Sequence, residues 1–502
     1  MKYAILIYIL IATTATAQPG AVDRSFGDHD MIRTDFGGRY DYISVLAIQP
    51  DGKILAAGTS SSDQPGDAAY FALARYYPDG SLDSSFGTYG KATCDFGIKN
   101  CVFSLLMLGK DGKIILTGNF NGKNNDGQIL LARFNSDGTP DGTFGTSGKV
   151  ETHFTTRWQA FSFASQSDGK IVVAGVAAID ADAFSFNNVL IRFNEDGSMD
   201  NSFGNSGIAV LDRVFNKCSI AIQSDDRIVA FGNLYQKVDS IPGYGLDGWP
   251  VFSLQRFTQN GIPDVSFGDN GKVKTKYIGS NGGTPSLIIL PDNRILTGAI
   301  SLGIDTNRYV DSVILLQFTQ DGKTDSTFGR NGVVAQQLGD GHCRLFTLNI
   351  LGDGKIVEVG DAVLTNGGEN FIVRRNSDGT LDKSFGSNGT FLSKTLGFNA
   401  AVFQNDKVIL SVNPRYYFDF VLERVNANGT LDNTFSFYQG ILATYYSGND
   451  EATAISISSD DHILIGGYSD ELSTGFLSAI RYHPDGTLDL SFGQNGRWFR
   501  SD

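Results

Sequence analysis

The sequence is poor in the residues that reactive and metal-binding sites draw on most: 4 cysteines, 5 histidines, 4 methionines and 3 tryptophans in 502 residues. So few cysteines exclude a disulfide scaffold of the kind that holds small secreted domains together. Cations are also short, with 40 Lys and Arg against 54 Asp and Glu and a formal charge of −14. Nucleic acid requires clustered cations to displace counterions, so no nucleic-acid partner is expected. Past the first dozen residues no apolar run approaches the roughly 18 a membrane helix needs, and no membrane span is expected. There is no Gly-x-Ser-x-Gly elbow, no His-Glu-x-x-His and no phosphate-cradling glycine loop ahead of a helix. The histidines (His29, His153, His342, His462, His483) show no metal-ligand spacing, so no metal or other cofactor is expected from them.

The N-terminus has its own logic. Met1-Lys2 is a short basic start, Tyr3 to Ala12 an apolar run, and Ala15-Thr16-Ala17 offers small residues for cleavage ahead of Gln18. Residues 1–17 therefore read as a secretory signal peptide and 18–502 as the mature chain, secreted or held in the periplasm or cell envelope. No cysteine follows the cleavage site, so no lipid anchor is expected.

What the sequence has in abundance is repetition, together with 60 glycines to turn it. The motif Asp-x-(Ser/Thr)-Phe-Gly begins at Asp23, Asp83, Asp141, Asp200, Asp264, Asp325, Asp382, Asp432 and Asp489, at intervals of 50 to 64 residues; only the copy at Asp432 departs, with Ser436 for glycine. Nine markers bracket eight units, and a fixed period of this kind signals a repeat architecture. Within a unit the pattern is constant. In the second, Lys91–Cys94 reads as strand A, Val102–Leu108 as strand B and Ile114–Thr117 as strand C, stopped at Gly118, with Ile129–Phe134 as strand D. The B–C turn recurs as Asp51-Gly52, Asp111-Gly112, Asp168-Gly169, Asp225-Asp226, Asp292-Asn293, Asp353-Gly354, Asn405-Asp406 and Asp460-Asp461. Gly, Asn and Asp best tolerate the positive φ that a two-residue primed hairpin needs at both central positions. A basic residue follows each turn, from Lys53 to Lys407, with His462 in the last copy.

Strand D runs into a second marker, Arg-aromatic-x-x-Asp-Gly-x-x-Asp. Its arginines are Arg75, Arg133, Arg192, Arg256, Arg374, Arg424 and Arg481, with Gln317 in the fifth unit. The guanidinium fork suits a structural pairing with a repeated Asp or with loop carbonyls, pinning the crossing from one unit to the next. Calcium held by the closely spaced Asp oxygens is the second reading, though the spacing lacks a bidentate Glu. Nearly half of the acidic residues sit at these turns, so the net charge is not an acidic functional surface. The marker phenylalanines, Phe26, Phe86, Phe144, Phe203, Phe267, Phe328, Phe385, Phe435 and Phe492, are expected as wedges between neighbouring units.

The Asp-x-Ser-Phe-Gly marker, the Asp-Gly-Lys-Ile hairpin with its following Gly, and the Arg-Tyr/Phe-x-x-Asp-Gly-x-Leu-Asp crossing resemble the delta-60 repeat, over about residues 21 to 500. The resemblance implies an exported bacterial β-propeller and carries no catalytic residues. Four strands per unit independently give an all-β, eight-bladed propeller with four antiparallel strands per blade, an open β solenoid being the alternative. The first unit supplies its strand A at Met31–Phe36 and a spare ninth strand A follows the last marker, around Arg497–Phe499, so a terminal strand could close the ring.

Along such a blade the B–C turns and D–A crossings share one face, and the A–B and C–D loops share the other. The first face is nearly invariant; the second varies in length and chemistry, which is where a rigid scaffold displays function. Trp158, Asp239, Tyr244, Asp247 and Trp249 are the candidate ligand-binding residues there, suited to stacking on a sugar and bonding its hydroxyls. The expected function is a noncatalytic binding or scaffold protein for an extracellular glycan, peptide or envelope protein. The alternative is a propeller enzyme acting on polysaccharide as hydrolase or lyase. Cys94 and Cys101, assigned to neighbouring antiparallel strands, are the candidate disulfide.

Overall fold

The computed structural model describes residue 36 and residues 40–498, apart from 62–68, 78–81, 99–100, 110, 122–126, 155–157, 179–185, 212–213, 237–248, 280–284, 306–307, 340, 365–366, 394–397, 405–406, 413–419, 433–440, 445–448, 459, 472–473, 490 and 493–496. The strands of these residues form eight four-stranded antiparallel sheets. The first holds β1 (Tyr40–Ile48), β2 (Ile54–Ser61), β3 (Ala69–Tyr76) and β4 (Lys91–Cys94), and the second β5 (Cys101–Leu108), β6 (Ile114–Asn121), β7 (Gly127–Phe134) and β8 (Lys149–Phe154). The third is β9 (Trp158–Ser165), β10 (Ile171–Ala178), β11 (Phe186–Phe193) and β12 (Ile208–Val210). The fourth is β13 (Val214–Ile222), β14 (Ile228–Gln236), β15 (Trp249–Phe257) and β16 (Lys272–Ile278). The fifth is β17 (Ser286–Ile289), β18 (Ile295–Asp305), β19 (Arg308–Phe318) and β20 (Val333–Gln337). The sixth is β21 (Cys343–Ile350), β22 (Ile356–Leu364), β23 (Gly367–Arg375) and β24 (Thr390–Ser393). The seventh is β25 (Phe398–Gln404), β26 (Lys407–Val412), β27 (Phe420–Val425) and β28 (Ile441–Thr444), and the last β29 (Asn449–Ile457), β30 (Ile463–Glu471), β31 (Thr474–Tyr482) and β32 (Arg497–Trp498).

The blade expected from the sequence is corrected by this pairing. A marker-to-marker unit A–B–C–D is not a sheet, because strand A pairs with strand D of the unit before it: β4 lies against β3 through Phe71↔Cys94 and Ala74↔Lys91. Each sheet is therefore ordered B–C–D–A. The Asp-Gly crossing is a connection inside a sheet, and the passage between sheets falls in the A–B loop. The reason is geometric: the D–A turn is tight and hydrogen-bonded, Asp83 N donating to Arg75 O at 2.9 Å, and this holds strand A to strand D.

Two local readings are also revised. Strand C does not stop at its glycine. β6 runs through Gly118 to Asn121, and the register of β5 against it shifts between Phe103 and Leu105. The glycine faces a β-bulge, where the partner backbone comes too close for a side chain. At Gly175 a Cβ would lie 2.4 Å from Gln159 O, and at Gly360 it would lie 2.0 Å from Arg344 O. Among the described residues the B–C turns, in turn, need positive φ only at their second residue: Gly52 has φ 82, Asp226 62, Asn293 65 and Asp461 66. With Gly52 N donating to Gln49 O and Gln49 N to Lys53 O, each is a type I turn closed by one left-handed residue, not a primed turn. The preceding Asp is chosen for its carboxylate, which accepts the backbone N–H two residues on, as Asp111 Oδ1 does from Lys113 N at 3.1 Å.

Strand B is the inner strand, since β1, β5, β9, β13 and β17 touch in succession, as do β25, β29 and β1. A cluster of buried apolar side chains fills each joint between sheets. One of them joins Ile54, Ala56 and Tyr76 of the first sheet to Leu464, Ala479 and Phe492 of the last unit. β1 packs on β29, β30 and β31, so the first and last sheets meet and an open solenoid is excluded. Both of these sheets are complete from their own local strands, so neither terminus lends a strand to the other among the described residues. Of the expected strand at Met31–Phe36 only Phe36 is described; its carbonyl accepts from Tyr70 Oη at 2.7 Å. Among the described residues no helix is long and apolar enough to cross a membrane.

Candidate functional site

The two faces differ in kind. On the turn face the repeat builds one latch many times. Arg133 Nε donates to Asp141 Oδ2 at 2.7 Å, its Nη1 to Glu195 O of the next unit, and its guanidinium lies 4.4 Å over the Phe144 ring. Arg75, Arg192, Arg256 and Arg374 make the same three contacts, with Asp83 and Ser136, Asp200 and Gln259, Asp264 and Gln320, and Asp382 and Ala427, over Phe86, Phe203, Phe267 and Phe385. Arg424 pairs with Asp432, and Arg481 with Asp489 over Phe492. Phe26 and Phe435 lie outside the described residues.

The phenylalanine does wedge between units. Phe86 presses on Gly138 of the next crossing, where a Cβ would meet Phe86 Cε2 at 2.7 Å and where φ is +83. Only glycine satisfies both demands. Burial alone would raise the Asp83 carboxyl, but bonds from Ser85, Tyr77 and Arg75 outweigh it and hold the group below the ordinary carboxylate range. A second cation leans on the same oxygen: Lys113 Nζ stands 3.2 Å from Asp141 Oδ2. In the fifth unit, where Gln317 replaces the arginine, Arg294 of the B–C turn reaches Asp325 Oδ2 at 3.1 Å instead.

The loop face carries the candidate ligand residues, and the structure redistributes them. Asp239, Tyr244 and Asp247 lie outside the described residues. Trp249 opens β15, paired with Gln236, rather than standing in a loop. Trp158 is corrected outright: it opens β9 and is 1% exposed in the core between the second and third sheets. Its ring fills the space beside Gly175, where a Cβ would lie 2.7 Å from Trp158 Cζ2. A buried indole of this kind presents no ring to a sugar.

Cys94 and Cys101 do not share paired strands, since one ends β4 and the other begins β5 of the next sheet. Both converge on the same core, yet all four cysteines carry free, buried thiols. Cys101 Sγ donates to Ala69 O at 2.6 Å. Burial pushes the thiols of Cys94, Cys101, Cys218 and Cys343 up to about 12.

What the loop face does assemble was not visible in the sequence. His342, in the A–B loop before β21, places Nδ1 3.1 Å from Oδ2 of Asp311, which lies near the start of β19. Asp311 is 2% exposed and the His342 side chain 82% exposed, so a buried carboxylate backs an imidazole whose Nε2 is open to solvent. The loop is pinned on both sides: Asp311 N donates to Gly341 O, and Val363 N to His342 O at 2.9 Å. Asp311 Oδ1 is buried and has no hydrogen-bond partner among the described residues. Two residues on, Arg344 lies exposed against the partly buried Asp361, its Nε donating to Oδ1 at 3.0 Å and Oδ2 at 3.2 Å. An imidazole, a guanidinium and two carboxylates thus stand at one joint, between the fifth and sixth sheets. They lie 31 and 17 residues apart in sequence, and no fixed motif spacing marks them.

A second cluster lies on the turn face of the last sheet. His462 Nε2, His483 Nδ1 and the Asp489 carboxylate meet there, with the two ring nitrogens 2.9 Å apart. Histidine spacing in the sequence shows no sign of this pair, whose members lie 21 residues apart. A groove of about 620 Å³ near the first crossing, lined by Phe36, Lys91, Phe134 and Pro140 among others, contains no acid and no histidine.

The class these features define is the repeat β-propeller: sheets joined through wedge residues on a repeated crossing. Five segments, 49–86, 109–144, 166–203, 351–385 and 458–492, match a family profile described as "Domain of unknown function (DUF5122) beta-propeller". Each begins at the B–C turn, just past strand B, and runs through strands C and D to the marker phenylalanine. The chain is thus built of β-propeller repeats, and the delta-60 name itself is not tested by this match.

No curated protein matches the chain in sequence. Among solved structures it is similar to an α-L-arabinofuranosidase, Arb93A, from Fusarium graminearum, at 12% identity over 69% of this chain and 96% of that one, with a TM-score of 0.38. It is likewise similar to an α-L-arabinanase of Penicillium chrysogenum (12%, 67% and 93%, TM-score 0.37) and to the polysaccharide lyase Uly1 (9%, 78% and 90%, TM-score 0.40). Scores of this size carry no conclusion about chemistry.

Proposed function

We propose that the protein is an exported, noncatalytic binding or scaffold propeller that takes an extracellular glycan, peptide or envelope protein on its loop face. One contrast supports this reading most. The turn face commits its charged groups to its own latches, each crossing Asp engaged by an arginine and all but Asp432 also by a neighbouring hydroxyl among the described residues. The loop face at the fifth–sixth joint instead offers groups that do not recur among the described residues: exposed His342 and Arg344, each held in place by an acid. Preorganised polar groups of this sort confer orientation and specificity on a bound molecule. Export rests on the signal-peptide reading of residues 1–17.

A second reading, an enzyme acting on polysaccharide, is favoured by one observation. A buried carboxylate orienting an exposed imidazole is a proton-transfer pair, suited to general-base chemistry. The test for both is a glycan and peptide array with the mature protein, followed by affinity measurements on His342→Ala and Arg344→Ala. Binding that weakens about tenfold or more in either variant, without turnover, supports the binding reading. Product formation abolished by both His342→Ala and Asp311→Asn supports the enzyme. Ligand affinity unchanged in all three variants refutes this location.

A further inference from the structure

We infer that the last sheet carries a binding site for one divalent transition metal ion of the zinc class, formed by His462, His483 and Asp489. The argument begins with what the other units place there. The crossing Asp of each is met by its arginine, or in the fifth unit by Arg294 alone. In the other units it is also met by a second cation from the B–C turn: Lys53 at 3.3 Å from Asp83, Lys113 at 3.2 Å from Asp141, Arg227 at 3.2 Å from Asp264, Lys407 at 2.6 Å from Asp432. The buried carboxylate is thus built to face a second positive charge beside the guanidinium. In the last unit the B–C cation is replaced by His462, whose Nε2 stands 3.3 Å from Asp489 Oδ2. A second replacement accompanies it. The position after the strand-D aromatic, Asn135, Asn194 and Asn376 in other units, is His483, whose Nε2 is 3.5 Å from Asp489 Oδ1.

The geometry is that of a ligand set. One atom from each residue lies within 4.8 Å of the others. Zinc–nitrogen bonds of about 2.0–2.1 Å in a tetrahedron place ligand atoms about 3.3 Å apart. His462 Nε2 stands 2.9 Å from His483 Nδ1 and 3.3 Å from Asp489 Oδ2. The 3.5 Å contact to Asp489 comes from the other His483 nitrogen, so His483 turns one of its two nitrogens to the ion. Metal-bound histidine characteristically gives its other ring nitrogen to a carboxylate, which fixes the ring. His462 Nδ1 stands 3.1 Å from Asp460 Oδ2, close enough for that carboxylate to take up this role, although the two are not aligned as a hydrogen bond. The His483 side chain is 43% exposed, which leaves an entry path and room for a water or an external ligand. Two imidazoles and one carboxylate are a borderline donor set, suited to zinc rather than to calcium, which takes oxygen ligands. The ion would stand where the other units hold an ammonium or guanidinium group.

The experiment titrates untagged mature protein with Zn²⁺ by calorimetry, beside the variants His462→Lys and His483→Asn. Both substitutions restore what other units carry at these positions, so both are compatible with the fold, and each variant's circular dichroism and metal-free melting point verify that. The expected result is one saturable ion per wild-type chain, a rise in melting temperature with Zn²⁺, and loss of both in each variant. Asp460→Asn should weaken binding roughly 10–100-fold through the orienting carboxylate alone. No saturable binding by the wild type, or equal binding by both folded variants, overturns the site. Because the cluster is on the turn face, neither variant should alter ligand binding at His342 and Arg344.

Discussion

The fifth unit offers a controlled comparison of what the crossing charge contributes. In the second unit Asp141 has two cations, Arg133 at 2.7 Å and Lys113 at 3.2 Å. In the fifth, Gln317 leaves Asp325 with Arg294 at 3.1 Å as its cation among the described residues. Lys113→Ala should therefore cost little, about 0.5 kcal/mol, because the buried guanidinium remains. Arg294→Ala strands a buried carboxylate. Removing one partner of a fully buried pair costs about 3–5 kcal/mol, and since the Arg294 side chain is 36% exposed the expected loss is smaller, about 2–3 kcal/mol. The gap of about 2 kcal/mol corresponds to roughly 30-fold in the equilibrium for local opening. Native-state hydrogen exchange, read on peptides spanning 135–148 and 319–332, measures each crossing separately and avoids assuming that so long a chain unfolds in one step. Arg294→Ala should speed exchange in the second peptide, and Gln317→Arg added to it should restore protection by rebuilding the common latch. Equal effects of Lys113→Ala and Arg294→Ala, or no recovery with Gln317→Arg, would refute the reasoning.

Acid should weaken the fold in a defined window. The carboxyls of Asp83, Asp141, Asp200, Asp264, Asp325, Asp382 and Asp489 are all held below their ordinary value, burial opposing and hydroxyl and cation partners outweighing it. A depressed folded value stabilises fully above the unfolded value near 4 and is lost as pH falls through the folded one. Melting temperature should thus be insensitive to these groups between pH 7 and about 5 and should fall steeply below about 4; a decline beginning at pH 6 would point to other groups. Trp158→Ala should reduce stability by about 3–5 kcal/mol, as for a core aromatic, and a variant with unchanged melting that loses ligand affinity would contradict its burial. Calcium should not raise the melting temperature appreciably, since arginine and hydroxyl donors already engage the crossing Asp oxygens; a rise of many degrees would favour the metal reading of the turns.

The periodic features were legible in the sequence because backbone geometry imposes them locally. The turn residues, the latch arginines and the wedge phenylalanines each recur where one chain segment must meet the next, so their spacing reports their contacts. Pairing across the marker was less legible. Strand A is closer in sequence to the strand B that follows it than to the strand D before it, as β4 is to Cys101 rather than to Tyr76, and only the hydrogen-bonded crossing decides for D. Strand C was read too short because a glycine inside a strand looks like a stop until the bulge opposite it is seen. Trp158 looks like a loop residue in the sequence because it stands beside a loop, whereas β9 begins with it and Gly175 makes room for its ring. His342 and Asp311 come from different sheets, and no periodic pattern links them.

The departures from the repeat sort themselves by how they are compensated. Gln317 removes a charge, and Arg294 supplies one to the same Asp. Glu358 stands where other units have Leu116 or Val173. Burial raises its carboxyl, but Arg375, in the place of an aromatic, donates to it and to Gln336. Each of these acids is met by an arginine, as buried charge requires, with Glu358 bonded through one of its two oxygens. His462 and His483 differ, because between them they replace one permanent cation with two ring systems around a carboxylate that still faces the space the cation held. On the loop face, His342 and Arg344 compensate nothing in the latch and are turned outward. Departures that close on themselves maintain the fold; those that remain directed at solvent or at a vacated charge position are where this propeller has chemistry left to offer a ligand.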